Sequence, residues 1–176
     1  DLILLNTLGG EHLREGNTYI KKILKKVYRS FSKSSVIPGT LRVHFLRKSG
    51  INIGEKVTIN EGFTLACDIG YESNLTIEDR VAFGPNVTIV VTSHPNHSRL
   101  RDLKDQYPSF EVFGKVRIMH DAWIGAGAII LPEITVGEYS IVGAGAVVTT
   151  DVPPFCIVAG VPAKILRKIE ISVTGS

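Results

Sequence analysis

Ile118-Met119-His120-Asp121-Ala122-Trp123, Ile124-Gly125-Ala126-Gly127-Ala128-Ile129, Ile130-Leu131-Pro132-Glu133-Ile134-Thr135, Val136-Gly137-Glu138-Tyr139-Ser140-Ile141, Val142-Gly143-Ala144-Gly145-Ala146-Val147 and Val148-Thr149-Thr150-Asp151-Val152-Pro153 repeat one six-residue frame without a break. Every first position is Ile or Val, and every fifth is Ala, Ile, Ser or Val. This period fits neither the 3.6 of a helix nor simple strand alternation. It is the pattern of a parallel β-helix, each hexad forming one short strand and a corner. The β-branched first residue points inward, the small fifth residue fits the tight interior, and Gly permits the turn. Short antiparallel strands of a sandwich would not hold one phase over 36 residues.

A second array precedes it. Its first positions are Ile53, Ile59, Leu65, Tyr71, Ile77, Phe83 and Ile89, and its fifth positions are Val57, Phe63, Ile69, Leu75, Val81 and Val87. Tyr71 is the poor fit, and Gly70-Tyr71-Glu72-Ser73-Asn74 reads as a widened corner. The arrays are out of phase, because 118 minus 89 is 29, which is not a multiple of six. A polar segment of about residues 93–115 therefore leaves the coil, and such an excursion from a rigid body is where function concentrates. His94 stands at its base, in Thr92-Ser93-His94-Pro95-Asn96-His97.

The 176 residues suit a single core, and 44% hydrophobic with 21% charged residues is a globular composition. A net charge of +3 gives no polyanion signal, so nucleic acid is not expected as a partner. Cys67 and Cys156 have no metal or redox spacing and suit a reducing cytoplasm. No run of about 18 apolar residues exists to span a membrane. Asp1-Leu2-Ile3-Leu4-Leu5 lacks the basic flank and length of a signal peptide, and a start without Met leaves open what precedes it.

The charge is unevenly placed. Nine Lys or Arg and no Asp or Glu fall between Gly16 and Gly54. Ile20, Ile23, Leu24, Val27, Tyr28 and Phe31 mark one face of a helix whose remainder carries Lys21, Lys22, Lys25, Lys26, Arg29 and Lys33. The apolar face is expected to pack on the repeat body; the alternative is an interfacial helix over 20–33 resting on anionic lipid. The expected organisation is a helical segment over 1–49, a β-helix over 50–163 and a C-terminal tail over 164–176.

The two arrays, the Thr-Ser-His-Pro-Asn-His loop, Asp121-Ala122-Trp123-Ile124-Gly125 and the ending Asp151-Val152-Pro153-Pro154-Phe155-Cys156-Ile157-Val158-Ala159-Gly160-Val161-Pro162-Ala163-Lys164 occur in one order. Together, over about residues 50–169, they closely resemble the hexapeptide-repeat acyltransferases, especially the galactoside, maltose and nodulation-factor O-acetyltransferase branch. The resemblance implies an all-β left-handed parallel β-helix, a homotrimer, acetyl-CoA as acyl donor between subunits, no metal and a carbohydrate acceptor. It implies His94 as general base, a role suited to imidazole, and the Ala126 backbone N–H as oxyanion donor. Trp123, Ala126, Ala144, Thr149 and Thr150 match positions along the CoA cleft, although the family's common Lys is Thr150 here. Lys164 and Arg167 match basic residues near the CoA phosphates.

The branch's Asn-rich acceptor segment is absent from Gly62-Phe63-Thr64-Leu65-Ala66. Asp68 and Glu72 are nearby candidates to bind a sugar or orient His94. The implied function is acetyl transfer to a sugar hydroxyl in saccharide or surface-polysaccharide O-acetylation. N-acetylation of an amino sugar or a small antibiotic is the nearest alternative. A γ-carbonic anhydrase using His94, His97 and His120, or a non-catalytic β-helix scaffold, stand further off.

Overall fold

A computed structural model describes residues 20–170. Within them, α1 covers residues 20–32 and α2 Gly39–Ser49. Three parallel ladders follow, and they form the faces of a prism. Face A carries β1 (Asn52–Ile53), β4 (Leu75–Ile77), β9 (Val116–Ile118) and β12 (Thr135–Val136) in that order. Face B carries β2 (Thr58–Ile59), β5 (Ala82–Phe83), β10 (Trp123–Ile124), β13 (Ile141–Val142), β15 (Cys156–Ala159) and β16 (Lys164–Lys168). Face C carries β3 (Thr64–Ala66), β6 (Thr88–Val90), β11 (Ile129–Ile130) and β14 (Val147–Val148). The chain visits A, B and C in turn, which makes a parallel β-helix.

The hexad frame sets which side chains enter. The first positions 118, 124, 130, 136, 142 and 148 and the fifth positions 122, 128, 134, 140, 146 and 152 are all buried. Register partners on successive coils measure the excursions. Trp123 lies over Ile141, 18 residues on, which is three hexads. Thr58 lies over Ala82, 24 residues on, because the corner holding Tyr71 adds one hexad. Ala82 lies over Trp123, 41 residues on, because the extruded loop intervenes. That loop is pinched at its base by β7 (Thr92–Ser93) pairing antiparallel with β8 (Val112–Phe113). Tyr71 is exposed and packs on Phe113, ring centroids 5.3 Å apart, so the residue that leaves the hexad frame anchors the loop.

Two expectations need correction. The segment after residue 163 is not a tail through Lys168, since β16 pairs antiparallel with β15. The apolar stripe of α1 does not pack on the prism: Ile20, Ile23, Leu24, Val27 and Phe31 are 39–58% exposed. The opposite, polar side docks instead, with Lys25 bonded to the buried Glu72, Arg29 to Cys67, and Ser32 buried. Of the stripe, Tyr28 and Phe31 meet Phe45 of α2. α2 in turn closes the open end of the first coil with Val43 and Leu46. Arg42 is buried and donates to the carbonyls of Ser32, Ser34, Ile37 and Ile59, tying the interhelical turn to β2. A guanidinium taken out of water needs that full set of acceptors.

The register can be tested on β4, where Ile77 is buried and its neighbour Thr76 faces outward, partly exposed. Ile77→Ala should lower unfolding free energy by about 2–5 kcal/mol, and Thr76→Ala by no more than about 0.5 kcal/mol. Denaturant midpoints at matched protein concentration measure both, and equal losses would contradict this assignment of inward and outward positions.

Candidate active site

The loop leaves the prism at the edge between faces C and A, and His94 stands at its base. Its Nε2 lies 3.1 and 3.3 Å from the two oxygens of Asp68. Asp68 belongs to the widened corner, and its backbone N–H donates to Thr92 Oγ1 at 2.9 Å, so corner and loop base are stitched together. His94 and Asp68 line a cleft of about 330 Å³ with Asn96, His97, Arg101 and Glu111. The last two were not legible beforehand, because a loop without periodicity gives no signal of which side chains turn back.

The widened corner is held from outside. Glu72 is fully buried, accepts from Lys25 Nζ at 3.1 Å and from the Gly70 N–H at 2.9 Å, and its Oε1 has no partner among the described residues. It is therefore a structural anchor, and the expectation that it reaches an acceptor is withdrawn. Arg29 donates to the Cys67 carbonyl at 3.3 Å and lies 2.8 Å from its sulfur. Burial pushes the Cys67 thiol above its ordinary value, with Arg29 pulling the other way. A thiol so shifted is protonated at neutral pH and is a poor nucleophile. Cys156 is buried in the core.

The other predicted positions fall on different edges. Ala126 and Ala144 are exposed at the turns after β10 and β13, one above the other on the edge between B and C. They are stitched by the Gly145 N–H donating to the Ala126 carbonyl at 2.8 Å. The stack is close: a Cβ on Gly125 would sit 2.6 Å from the Ala144 nitrogen. Gly125, Gly127 and Ala128 donate their N–H groups within the coils, whereas the Ala126 N–H has no partner among the described residues. Trp123 is 56% exposed on face B, which removes core packing as its explanation. Thr149 and Thr150 are exposed after β14, and Thr150 shares a cleft of about 380 Å³ with Lys164. Lys164 and Arg167 lie exposed on β16. His120 sits on the remaining edge, 2.9 Å from Asp121, which Arg80 grips through both oxygens at 2.7 Å. That pairing holds Asp121 well below the usual carboxylate range.

His94 and Ala126 are thus separated by the whole of face C. A face takes one hexad of chain, on the order of 20 Å at roughly 3.3 Å per residue. One chain does not bring the two together. Face C between them presents Thr88, Val90, Ile129 and Val147, with Ile129 36% exposed.

The corner anchor makes a stability prediction. Lys25→Met removes the cation from a buried carboxylate, which costs about 3–5 kcal/mol when a pair is fully buried. With Lys25 one-third exposed, a loss of about 2 kcal/mol is expected. Adding Glu72→Gln should restore most of it. Chemical denaturation reads both, and a double variant no better than the single would show that the charge is not the cause.

Comparison with known proteins bears on the family and the fold. The family model for bacterial transferase hexapeptide (six repeats) matches residues 115–150. Galactoside O-acetyltransferase of Escherichia coli (strain K12) is 39% identical over 128 residues, covering 73% of this chain and 59% of that protein. The chain thus spans less than two thirds of that relative's length. Galactoside O-acetyltransferase of Lactococcus lactis subsp. lactis (strain IL1403) is 33% identical over 151 residues, covering 86% of this chain and 68% of that protein. Among solved structures, a galactoside acetyltransferase in complex with coenzyme A superposes with a TM-score of 0.59 at 26% identity, covering 85% of this chain and 81% of that one.

Proposed function

From the premise that this chain belongs to the hexapeptide-repeat acyltransferases and shares their left-handed parallel β-helix, we propose that it transfers acetyl from acetyl-CoA to a sugar hydroxyl. The observation that carries the chemistry is the His94–Asp68 pair at the mouth of the loop. The acceptor oxygen attacks the thioester carbonyl carbon, the C–O bond forms, and the C–S bond breaks. His94 takes the hydroxyl proton and returns it to the departing CoA sulfur. The Asp68 carboxylate fixes the ring and stabilises the imidazolium formed in between. The unpaired Ala126 N–H is the donor for the thioester oxyanion. Direct transfer fits a Cys67 thiol kept protonated. Acetyl-CoA lying along the stacked Ala126 and Ala144 would reach Thr150 and Lys164 with its nucleotide end.

Since His94 and Ala126 occupy different edges of one prism, the reading requires a second copy to supply the missing wall. A cyclic trimer does so, each His94 edge meeting the Ala126 edge of the next chain. We propose the cytoplasm as the place of this work, because acetyl-CoA is available there and the two free thiols suit a reducing compartment. The outward stripe of α1, flanked by Lys21 and Lys22, supports peripheral contact with an anionic membrane face.

His94→Ala should lower kcat by about 10²–10⁴-fold with acetyl-CoA affinity retained, and His97→Ala should act far less. Thiol release from acetyl-CoA with saccharides present measures this, and near-normal turnover by His94→Ala would remove it from the role.

Ala144→Leu should block acetyl-CoA by filling the cleft. Co-expressing His94→Ala with Ala144→Leu should recover roughly a quarter of normal activity, because mixed trimers pair an intact His94 with an intact Ala144 across the interface. Light scattering gives the assembly state. A mixture no more active than its parents, or a fully active monomer, would overturn the shared site.

A further inference from the structure

Beside the His94 cleft lies a second groove whose chemistry is different. This groove, of about 440 Å³, runs between α1 and face C, a volume within the range of small-ligand sites. Lys26, Arg29 and Lys33 line its helix side, Thr64 and Ala66 its floor, and Cys67 its end. Cys67 is followed directly by Asp68, the partner of His94. This end of the groove therefore lies next to the His94–Asp68 pair.

Among the described residues, no carboxylate pairs with Lys26, Arg29 or Lys33. The chain from Gly16 to Gly54 carries no Asp or Glu. Among the described residues, neither Lys26 nor Lys33 makes an ion pair, and Arg29 meets a carbonyl and a sulfur, with Nε and its second amino group unpaired by protein. The acids that face the region are otherwise engaged: Glu72 is buried against Lys25, and Asp68 faces His94. Glu61 lies exposed beyond Gly62, whose N–H bonds the Lys33 carbonyl. Three cations along one wall of a groove, on the docked flank of a helix, are placed for an anion.

That anion is not the phosphate of CoA. Lys164 and Arg167, on β16, stand beyond the last coil, while the groove lies on the first. The ladder from β2 to β15 spans four strand spacings, about 19 Å at roughly 4.8 Å each. The two basic patches are at opposite ends of the prism.

We infer that the acceptor is an anionic saccharide, whose carboxylate or phosphate is held by Lys26, Arg29 and Lys33 while a hydroxyl of the same or next sugar reaches His94. The inference rests on the acyltransferase reading above and names its substrate class. It also gives a reason for the missing Asn in Gly62–Ala66: charge on the helix replaces amide hydrogen bonds from the floor. Charge-assisted contacts to a fixed cation are stronger than neutral ones, so discrimination against an uncharged sugar follows.

The test uses the whole chain at saturating acetyl-CoA with three acceptors of equal length: a neutral oligosaccharide, one containing a hexuronic acid, and one carrying a phosphate. At least one anionic arm should exceed the neutral one by about tenfold in kcat/KM, and whichever is higher identifies the group. The gap should shrink as salt is raised. Lys26→Gln with Lys33→Gln should raise KM for the anionic acceptor by tenfold or more, with the Kd for acetyl-CoA unchanged as proof of an intact fold. Equal kcat/KM in all three arms overturns the inference and leaves the acyltransferase reading standing. Loss of acetyl-CoA affinity in the double variant also overturns it, by giving the groove to CoA. No transfer to any saccharide by a chain that binds acetyl-CoA overturns both.

Discussion

Each strand of this prism has room inside for one inward apolar side chain and, at the corner before it, one more. Ile118, Ile124 and Ile130 with Ala122, Ala128 and Ile134 use that space completely in a single coil, and each next coil repeats the arrangement through a parallel ladder. Backbone groups of the ladders are satisfied by the coils above and below, and the inward positions are filled by apolar side chains. Everything chemical must therefore happen on edges and faces. The positions proposed to act are those where a small residue leaves an edge open, as at Ala126 and Ala144, or where the chain leaves the frame, as at Asp68 and His94.

In the proposed reading, this geometry is the reason one chain would hold two half-sites. An edge is convex and cannot bury a ligand by itself, whereas ligand sites commonly enclose about 70–90% of their occupant. Face C separates the imidazole from the small-residue edge, and its outward Thr88, Val90, Ile129 and Val147 are of the kind that a second prism could cover. In the same reading the extruded loop adds the remaining wall. Its base is fixed in three independent ways, by β7 pairing with β8, by Tyr71 on Phe113 and by Thr92 accepting from the Asp68 N–H.

The helix α1 shows how electrostatics can override an apolar pattern. Its stripe of Ile20, Ile23, Leu24, Val27 and Phe31 would gain by burial, yet it faces away from the prism. The corner at 66–74 leaves a buried carboxylate on Glu72 and the carbonyl of Cys67, and a buried charge without a partner is more costly than an exposed leucine. Lys25 and Arg29 answer that demand and turn the helix polar side inward. The same rotation sets Lys26 and Lys33 beside the groove and leaves the apolar side exposed.

Residues 118–153 determined the architecture without help, because a period of six admits few structures and the identity of each inward position follows from its place in the frame. The sequence also determined where the frame breaks: the misfit of Tyr71 and the phase jump between Ile89 and Ile118 locate the widened corner and the loop. The family resemblance singled out His94, Ala126 and Ala144. Only the tertiary structure decided what those breaks bring together. That Asp68 meets His94, that Glu72 is buried under Lys25, that Arg101 and Glu111 turn back to the cleft, and that residues 164–168 pair as a strand are contacts between segments far apart or without periodicity. A repeat announces its own inward face, since every coil presents the same environment to the next. A single helix pattern states only which side is apolar, and what docks is chosen by the charges waiting on the other surface.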